Sequence, residues 1–221
     1  SRPPTRDRAR PRRRGYVYRS TNAACPKFGR GFLGVVRADP DHLTPNGLAP
    51  VGNSRGNAAE TVLRSAWATA HAIDGVEVSP FPVPHDAREP CQFVFSDGQA
   101  RIGILTDTGS ITPHIESCLN GCHALLLECN HDLGMLWNGD YPQHLKQRIA
   151  GKFGHLDNAT AAQLLQSVDC GSLKHVIAAH LSEQNNTPEL AGAALAQALN
   201  CEPHWIGIAT QHDGFDWRSV G

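Results

Sequence analysis

Residues 101–132 read RIGILTDTGSITPHIESCLNGCHALLLECNHD, and two apolar runs inside this stretch decide the fold class. Arg101–Thr106 has the length and composition of a strand and runs out on Asp107, which is followed by Thr, Gly and Ser. Ala124–Cys129 is apolar without alternation, the pattern of a central strand covered on both faces. Working outward toward the N-terminus, Gln92–Phe95 reads as a strand joined to Arg101–Thr106 by the turn Ser96-Asp97-Gly98, and Val76–Phe81 alternates as another before the Pro-rich PFPVPHD. Toward the C-terminus, helical spacing covers Pro142–Ala150 and Asn158–Val168, the second with Asp157 or Asn158 as N-cap. His175–Ala179 is a further buried strand. Thr187-Pro188 opens a helix that runs through Leu199, with Pro at its first helical position, and His204–Thr210 gives a last strand. Strands alternating with helices from about residue 71 predict an α/β (α+β) domain in which helices are layered on a sheet.

The 221 residues and 40% apolar content are enough for one substantial core. The net charge of -1 averages two unlike regions. Residues 1–37 hold eleven Lys and Arg and one acid, a basic head of +10. The rest holds nine bases and twenty acids, a body of -11. Residues 1–14 contain seven Arg and three Pro with no apolar periodicity, so they are expected to be disordered; their other reading is an arm that neutralises nucleic-acid phosphates. Within 15–70 only Asn57–Ala70 looks helical. The seven cysteines show no disulfide-like spacing, and the C-x3-C of Cys118 and Cys122 has no second pair, so zinc-ribbon chemistry is excluded. Thiols in a reducing cytoplasm fit this usage, and no apolar run approaches the ~18 residues of a membrane span.

The chemistry is carried by His and acidic residues at the ends of apolar runs: His85, Asp107, Glu128, His131, His155 and His180. A carboxylate at a strand end beside a Gly-containing turn is placed to bridge two metal ions. Imidazole with carboxylate suits zinc, manganese or iron. Two such ions ~3.5–4 Å apart activate a water and clamp both oxygens of a phosphoryl transfer. Any one of these side chains alone reads equally well as a hydrogen-bonded strand-end residue; the ordered set carries the signal. His71, His114, His123, His144, His175, His204 and His212 are read as core or surface side chains.

In fixed order, PHDAREP, LTDTGSITPH, LLLECNHD, RIAGKFGHLDN and AAHLSEQNN resemble the C-terminal half of metallo-β-lactamase-fold hydrolases, and among them the YycJ/WalJ-type, exonuclease-like branch. The resemblance covers about residues 71–220. It implies a four-layer αββα sandwich with two divalent metal ions, zinc or manganese, at one edge. It also implies hydrolysis of phosphodiesters, with nucleic acid, most naturally DNA, as substrate. Carried over, His85, Asp107 and His180 resemble metal ligands, Asp107 as the bridging carboxylate. His155 resembles the proton-handling histidine of related phosphodiesterases. Glu128 and His131 resemble supporting or substrate-side catalytic residues, and Ser182 and Asn186 follow His180 where they could bind phosphate oxygens, a simple turn being the other reading.

The family's H-x-H-x-D-H loop has no match in the sequence; the nearest string is Asp39-Pro40-Asp41-His42. The change of character near residue 71 gives the expectation that residues 1–70 are a disordered or non-native region joined to the C-terminal part of the domain, 71–221, and that the chain lacks part of its metal site, which leaves both an active enzyme and an inactive remnant of one open. Two other readings stay open: hydrolysis of thioesters or lactams on the same fold, and a non-catalytic remnant that binds nucleic acid through its Arg-rich arm.

Overall fold

The computed structural model describes residues 15–17, 36–38, 71–73, 75–212 and 214–220. A short antiparallel pair, β1 (Gly15–Val17) with β2 (Val36–Ala38), stands apart from the main sheet. That sheet has seven strands in sequential order: β3 (His71–Ile73), β4 (Val76–Pro82), β5 (Cys91–Ser96), β6 (Arg101–Leu105), β7 (Ala124–Glu128), β8 (His175–Ala179) and β9 (Gly207–Ile208). From β3 to β6 neighbours are antiparallel; from β6 to β9 they are parallel. Parallel neighbours require crossovers, and these are the helices. They are α1 (Pro113–Leu119) before β7, then α2 (Leu133–Asn138), α3 (Gln143–Ile149) and α4 (Asn158–Ser167) before β8, and α5 (Pro188–Leu199) before β9.

Local sequence explains where the helices begin. Thr112, Asp132, Asp157 and Thr187 each accept a hydrogen bond from a backbone N–H of the first turn that would otherwise lack a partner. Pro follows the cap in α1 and α5, where its missing N–H costs nothing. α5 stops at Asn200, which takes the left-handed conformation at φ 51°.

Alternation along the strands separates two apolar faces. Leu105, Leu125, Leu127, Val176 and Ala178 pack with Ile115 and Leu119 of α1, Leu164 and Leu165 of α4 and Leu195 of α5. Each such fully buried Leu or Val is worth roughly 1.5–3 kcal/mol. The other face gathers Val76, Val78, Phe93, Phe95, Ile104, Leu126 and Ile177. The mixed α/β class is the one expected, and the described residues supply one sheet and one helical layer of the expected sandwich.

Two sequence expectations change. The strand expected over His204–Thr210 is only Gly207–Ile208, because Pro203–Trp205 turns as a 3-10 helix first. Helices α1 and α2 were not anticipated. The expected helix Asn57–Ala70 and the disorder expected for 1–14 lie outside the described residues. No described helix is long and apolar enough to cross a membrane.

The functional consequence lies in strand direction. β4 is antiparallel to β5, which is antiparallel to β6, so β4, β6, β7 and β8 all run the same way. Their C-terminal ends share one edge of the sheet, and His85, Asp107, Glu128 and His180 all lie at or just beyond those ends.

Candidate metal centre

Glu128, the last residue of β7, is wholly buried. Its Oε1 accepts from His155 Nδ1 at 2.8 Å and from His180 Nδ1 at 2.7 Å, while Oε2 accepts from the backbone N–H of Thr108 at 3.0 Å and of Leu156 at 3.4 Å. An ionised carboxylate only accepts, so both imidazoles carry their proton on Nδ1 when neutral, and Nε2 is left as a lone pair. Burial alone would raise the carboxyl's pKa; the hydrogen bonds and charge of His155 and His180 overcome it and bring it down to about 2. Burial would likewise lower the pKa of His180, but Glu128, helped by Asp107, takes it up to about 9. The clamp is an ion pair at neutral pH.

Asp107 lies above this clamp. Its Oδ1 is 4.0 Å from His85 Nε2, 3.9 Å from His155 Nδ1 and 3.8 Å from His180 Nδ1. These gaps are too long for hydrogen bonds. The His155 ring centroid is 5.2 Å from that of His85 and 5.1 Å from that of His180. Asp107 and His180 both sit in the left-handed region, at φ 54° and 58°. Such strain clusters at functional sites and costs about 1–3 kcal/mol per residue. His85 is oriented from behind, its Nδ1 donating to the carbonyl of Gly154 at 3.0 Å, so its Nε2 faces the carboxylate.

A ligand atom from each of Asp107, Glu128, His155 and His180 lies within 4.8 Å of the others. Imidazole nitrogens beside a half-exposed carboxylate are the donors that zinc or manganese takes. Glu128 is spent on holding the histidines, the arrangement that fixes ring orientation in metal sites.

The other residues singled out from the sequence fall differently. His131 is 1% exposed and neither ring nitrogen has a hydrogen-bond partner among the described residues; burial pushes its pKa down, against the pull of Asp157 and Glu128. It is a core residue beneath the site. Asn186 is buried, and its amide is fully used: it exchanges two hydrogen bonds with the Asn158 amide and also contacts Cys129 O and Thr187 N. No polar atom of it remains for a ligand. Ser182 does line a polar cavity of about 470 Å³ beside His155, with Asn130, Tyr141, Gln184 and Gln211.

Sequence reasoning missed Thr108, whose N–H holds Glu128, and the glycines behind His85. A Cβ at Gly109 would collide with the backbone of Gly151 and Gly154. The signal was present in the order Asp107-Thr108-Gly109, a strand-end acid followed by a residue that permits close approach.

A family model described as a beta-lactamase superfamily domain matches residues 37–180. The chain belongs to this beta-lactamase superfamily. Within it the chain is 37% identical over 139 residues to an exodeoxyribonuclease YycJ of Bacillus anthracis, covering 62% of this chain and 53% of that protein. It is 32% identical over 133 residues to an exodeoxyribonuclease WalJ of Streptococcus pneumoniae serotype 2, covering 60% and 49%. The chain thus spans about half the length of these curated relatives. Among solved structures, the metallo-beta-lactamase fold protein YhfI from Bacillus subtilis aligns with a TM-score of 0.49 at 13% identity, covering 72% of this chain and 61% of that one. The superfamily match begins at residue 37, inside the region that the sequence sets apart.

Proposed function

We propose that this chain carries one side of the active site of a metal-dependent phosphodiesterase that acts on DNA. His85, Asp107 and His180 are its metal ligands, for zinc or manganese, and His155 is its proton-handling group. The observation that carries the reading is the buried Glu128 holding both His155 and His180 beneath the Asp107 carboxylate. Similarity to two exodeoxyribonucleases supports DNA as the substrate class.

A divalent cation held by His85, Asp107 and His180 would supply Lewis acidity and make water more acidic there. The protein's own groups do the rest. Glu128 stays anionic at any working pH and accepts from His155 Nδ1, which fixes the tautomer and leaves Nε2 to handle a proton. His155 is part-exposed and lines the polar cavity, so that proton can reach a leaving oxygen. Ser182 Oγ accepts from Asn185 N, which leaves its own proton for a phosphate oxygen. The sequence holds no H-x-H-x-D-H loop. Activity is therefore expected to be weak, yet metal-dependent.

The test is hydrolysis of bis(p-nitrophenyl) phosphate and of DNA ends with manganese or zinc added. Activity above the metal-only control is expected, and Asp107→Ala should remove it. Full activity in that variant takes away the ligand role of Asp107, and no hydrolysis of either substrate by the native chain rules out the phosphodiesterase reading.

A further inference from the structure

Residues 151–154, Gly-Lys-Phe-Gly, form a turn between α3 and His155 in which every carbonyl is engaged. Gly151 O accepts from Gly154 N at 2.9 Å, Lys152 O from Ser110 Oγ at 3.1 Å, Phe153 O from Asp86 N at 3.0 Å and Gly154 O from His85 Nδ1 at 3.0 Å. Three of these four bonds come from the loops that present His85 and Asp107. Gly109 packs against the same turn so closely that no side chain fits between them. The turn is therefore fixed to the site.

Its two side chains are nevertheless exposed. Phe153, at 61%, is the most exposed large apolar side chain among the described residues. A single exposed apolar residue is ordinary on a protein surface. One held by a pinned backbone two positions from His155 is different, because little further ordering is needed when it meets a ligand. The nearby cations are otherwise occupied: Lys146 Nζ donates to the carbonyls of Trp137 and Gly139, and Arg148 pairs with Asp86. Lys152 makes no ion pair with any described residue. With a body of -11, phosphate contacts alone give this face little hold on DNA. Stacking of bases on aromatic side chains binds single strands with little dependence on sequence.

We propose that the Gly151–Gly154 turn is a docking finger for single-stranded DNA ends, with Phe153 stacking on an unpaired base and Lys152 meeting the adjacent phosphate. A base inside a duplex has both faces covered, so only an unpaired or terminal base can be taken this way. The proposal rests on the phosphodiesterase reading for its choice of DNA.

The experiment measures binding of a fluorescein-labelled oligothymidylate, and of the same strand made wholly abasic, to the 221-residue chain by anisotropy. Phe153→Ala should weaken oligothymidylate binding roughly tenfold, and Phe153→Tyr should restore it. The abasic strand should bind the native chain more weakly than oligothymidylate, with no further loss on Phe153→Ala. Lys152→Ala should flatten the dependence of log affinity on log salt by about 0.7. An effect of Phe153→Ala below about twofold, or an equal effect on both strands, overturns the docking finger. Hydrolysis of bis(p-nitrophenyl) phosphate by the native chain is followed in parallel. A chain that hydrolyses this diester but binds no strand through Phe153 keeps the phosphodiesterase reading and loses the finger. Phe153-dependent binding with no hydrolysis of the diester or of DNA keeps the finger and loses the phosphodiesterase.

Discussion

Glu128→Gln separates the two tasks given to this side chain, because the amide keeps its shape and loses its charge. A carboxyl held at about 2 against an ordinary 4.5 corresponds to about 3 kcal/mol in favour of the charged form. His180, raised from 6.5 to about 9, reports the same interaction from the other side, so the two are not added. Removing one partner of a buried ion pair costs about 3–5 kcal/mol by general experience, which agrees. For a domain of this size that is a fall in Tm of roughly 6–20 °C.

Gln also brings a geometric conflict. Glu128 receives two N–H donors on each oxygen. An NH2 on either side must face donors. If it faces Thr108 N and Leu156 N, two backbone groups lose their acceptor. If it faces the histidines, their protons move to Nε2 and the ligand lone pairs are lost. Metal affinity should then fall about 10–100-fold, the usual cost of losing such a support.

The pH dependence adds a window. Glu128 is lowered, so its stabilisation is complete above 4.5 and is lost as pH falls through about 2. His180 is raised, so its share is complete below 6.5 and is lost as pH rises through about 9. In metal-free protein the gap between native and variant should be widest from 4.5 to 6.5. Urea melts across pH and competition for zinc with a chromophoric chelator measure both effects. A variant with native Tm and native zinc affinity would refute the clamp.

His131→Phe should be near-neutral or stabilising, within about 1 kcal/mol, because it removes two buried ring nitrogens that have no partner. The folded-state pKa of His131 lies below its ordinary 6.5, so native stability should fall as pH drops through 6.5, by up to about 1.4 kcal/mol per pH unit, and the variant should lack this slope. Loss of hydrolysis in a stably folded His131→Phe protein would restore a catalytic role. Asn186→Ala should lower stability by about 2–4 kcal/mol, since it strands the Asn158 amide and Cys129 O. KM for any phosphodiester should stay unchanged in the folded fraction, and a raised KM would return Asn186 to the substrate.

The strands were readable because their apolar runs are bounded by turn residues, and α4 and α5 because Asp157 and Thr187 announce them. Helix α1 carries the same Thr-Pro signal at 112–113, but seven residues with only Ile115 and Leu119 buried make too short a stripe to stand out. His204–Thr210 was overextended because apolar content was read without the break imposed by Pro203. In the site, His85, Asp107, His155 and His180 could be assembled from their positions after apolar runs, whereas the difference between Glu128 and Asn186 could not. Both are polar residues in buried turns or strand ends. Only the partners decide that Glu128 faces two histidines and Asn186 faces Asn158.

One buried carboxylate joins the two strained residues of the site. Asp107 and His180 follow β6 and β8, which flank β7 in the sheet. Neighbouring strands lie ~4.8 Å apart, so two strand widths should hold these residues roughly 10 Å from each other. Their side chains close that gap over the end of β7, with Asp107 Oδ1 and His180 Nδ1 3.8 Å apart. Asp107, the second residue after β6, and His180, the first after β8, both take positive φ. Glu128 sits at that end of β7 and receives Thr108 N from one side and His180 Nδ1 from the other. The two strained turns are thus closed onto one buried anion, and the stabilisation of about 3 kcal/mol from that anion is of the size needed to offset them. The ligand geometry proposed for this site and the backbone strain beside it depend on the same carboxylate, which makes Glu128, rather than any proposed ligand, the residue on which the arrangement turns.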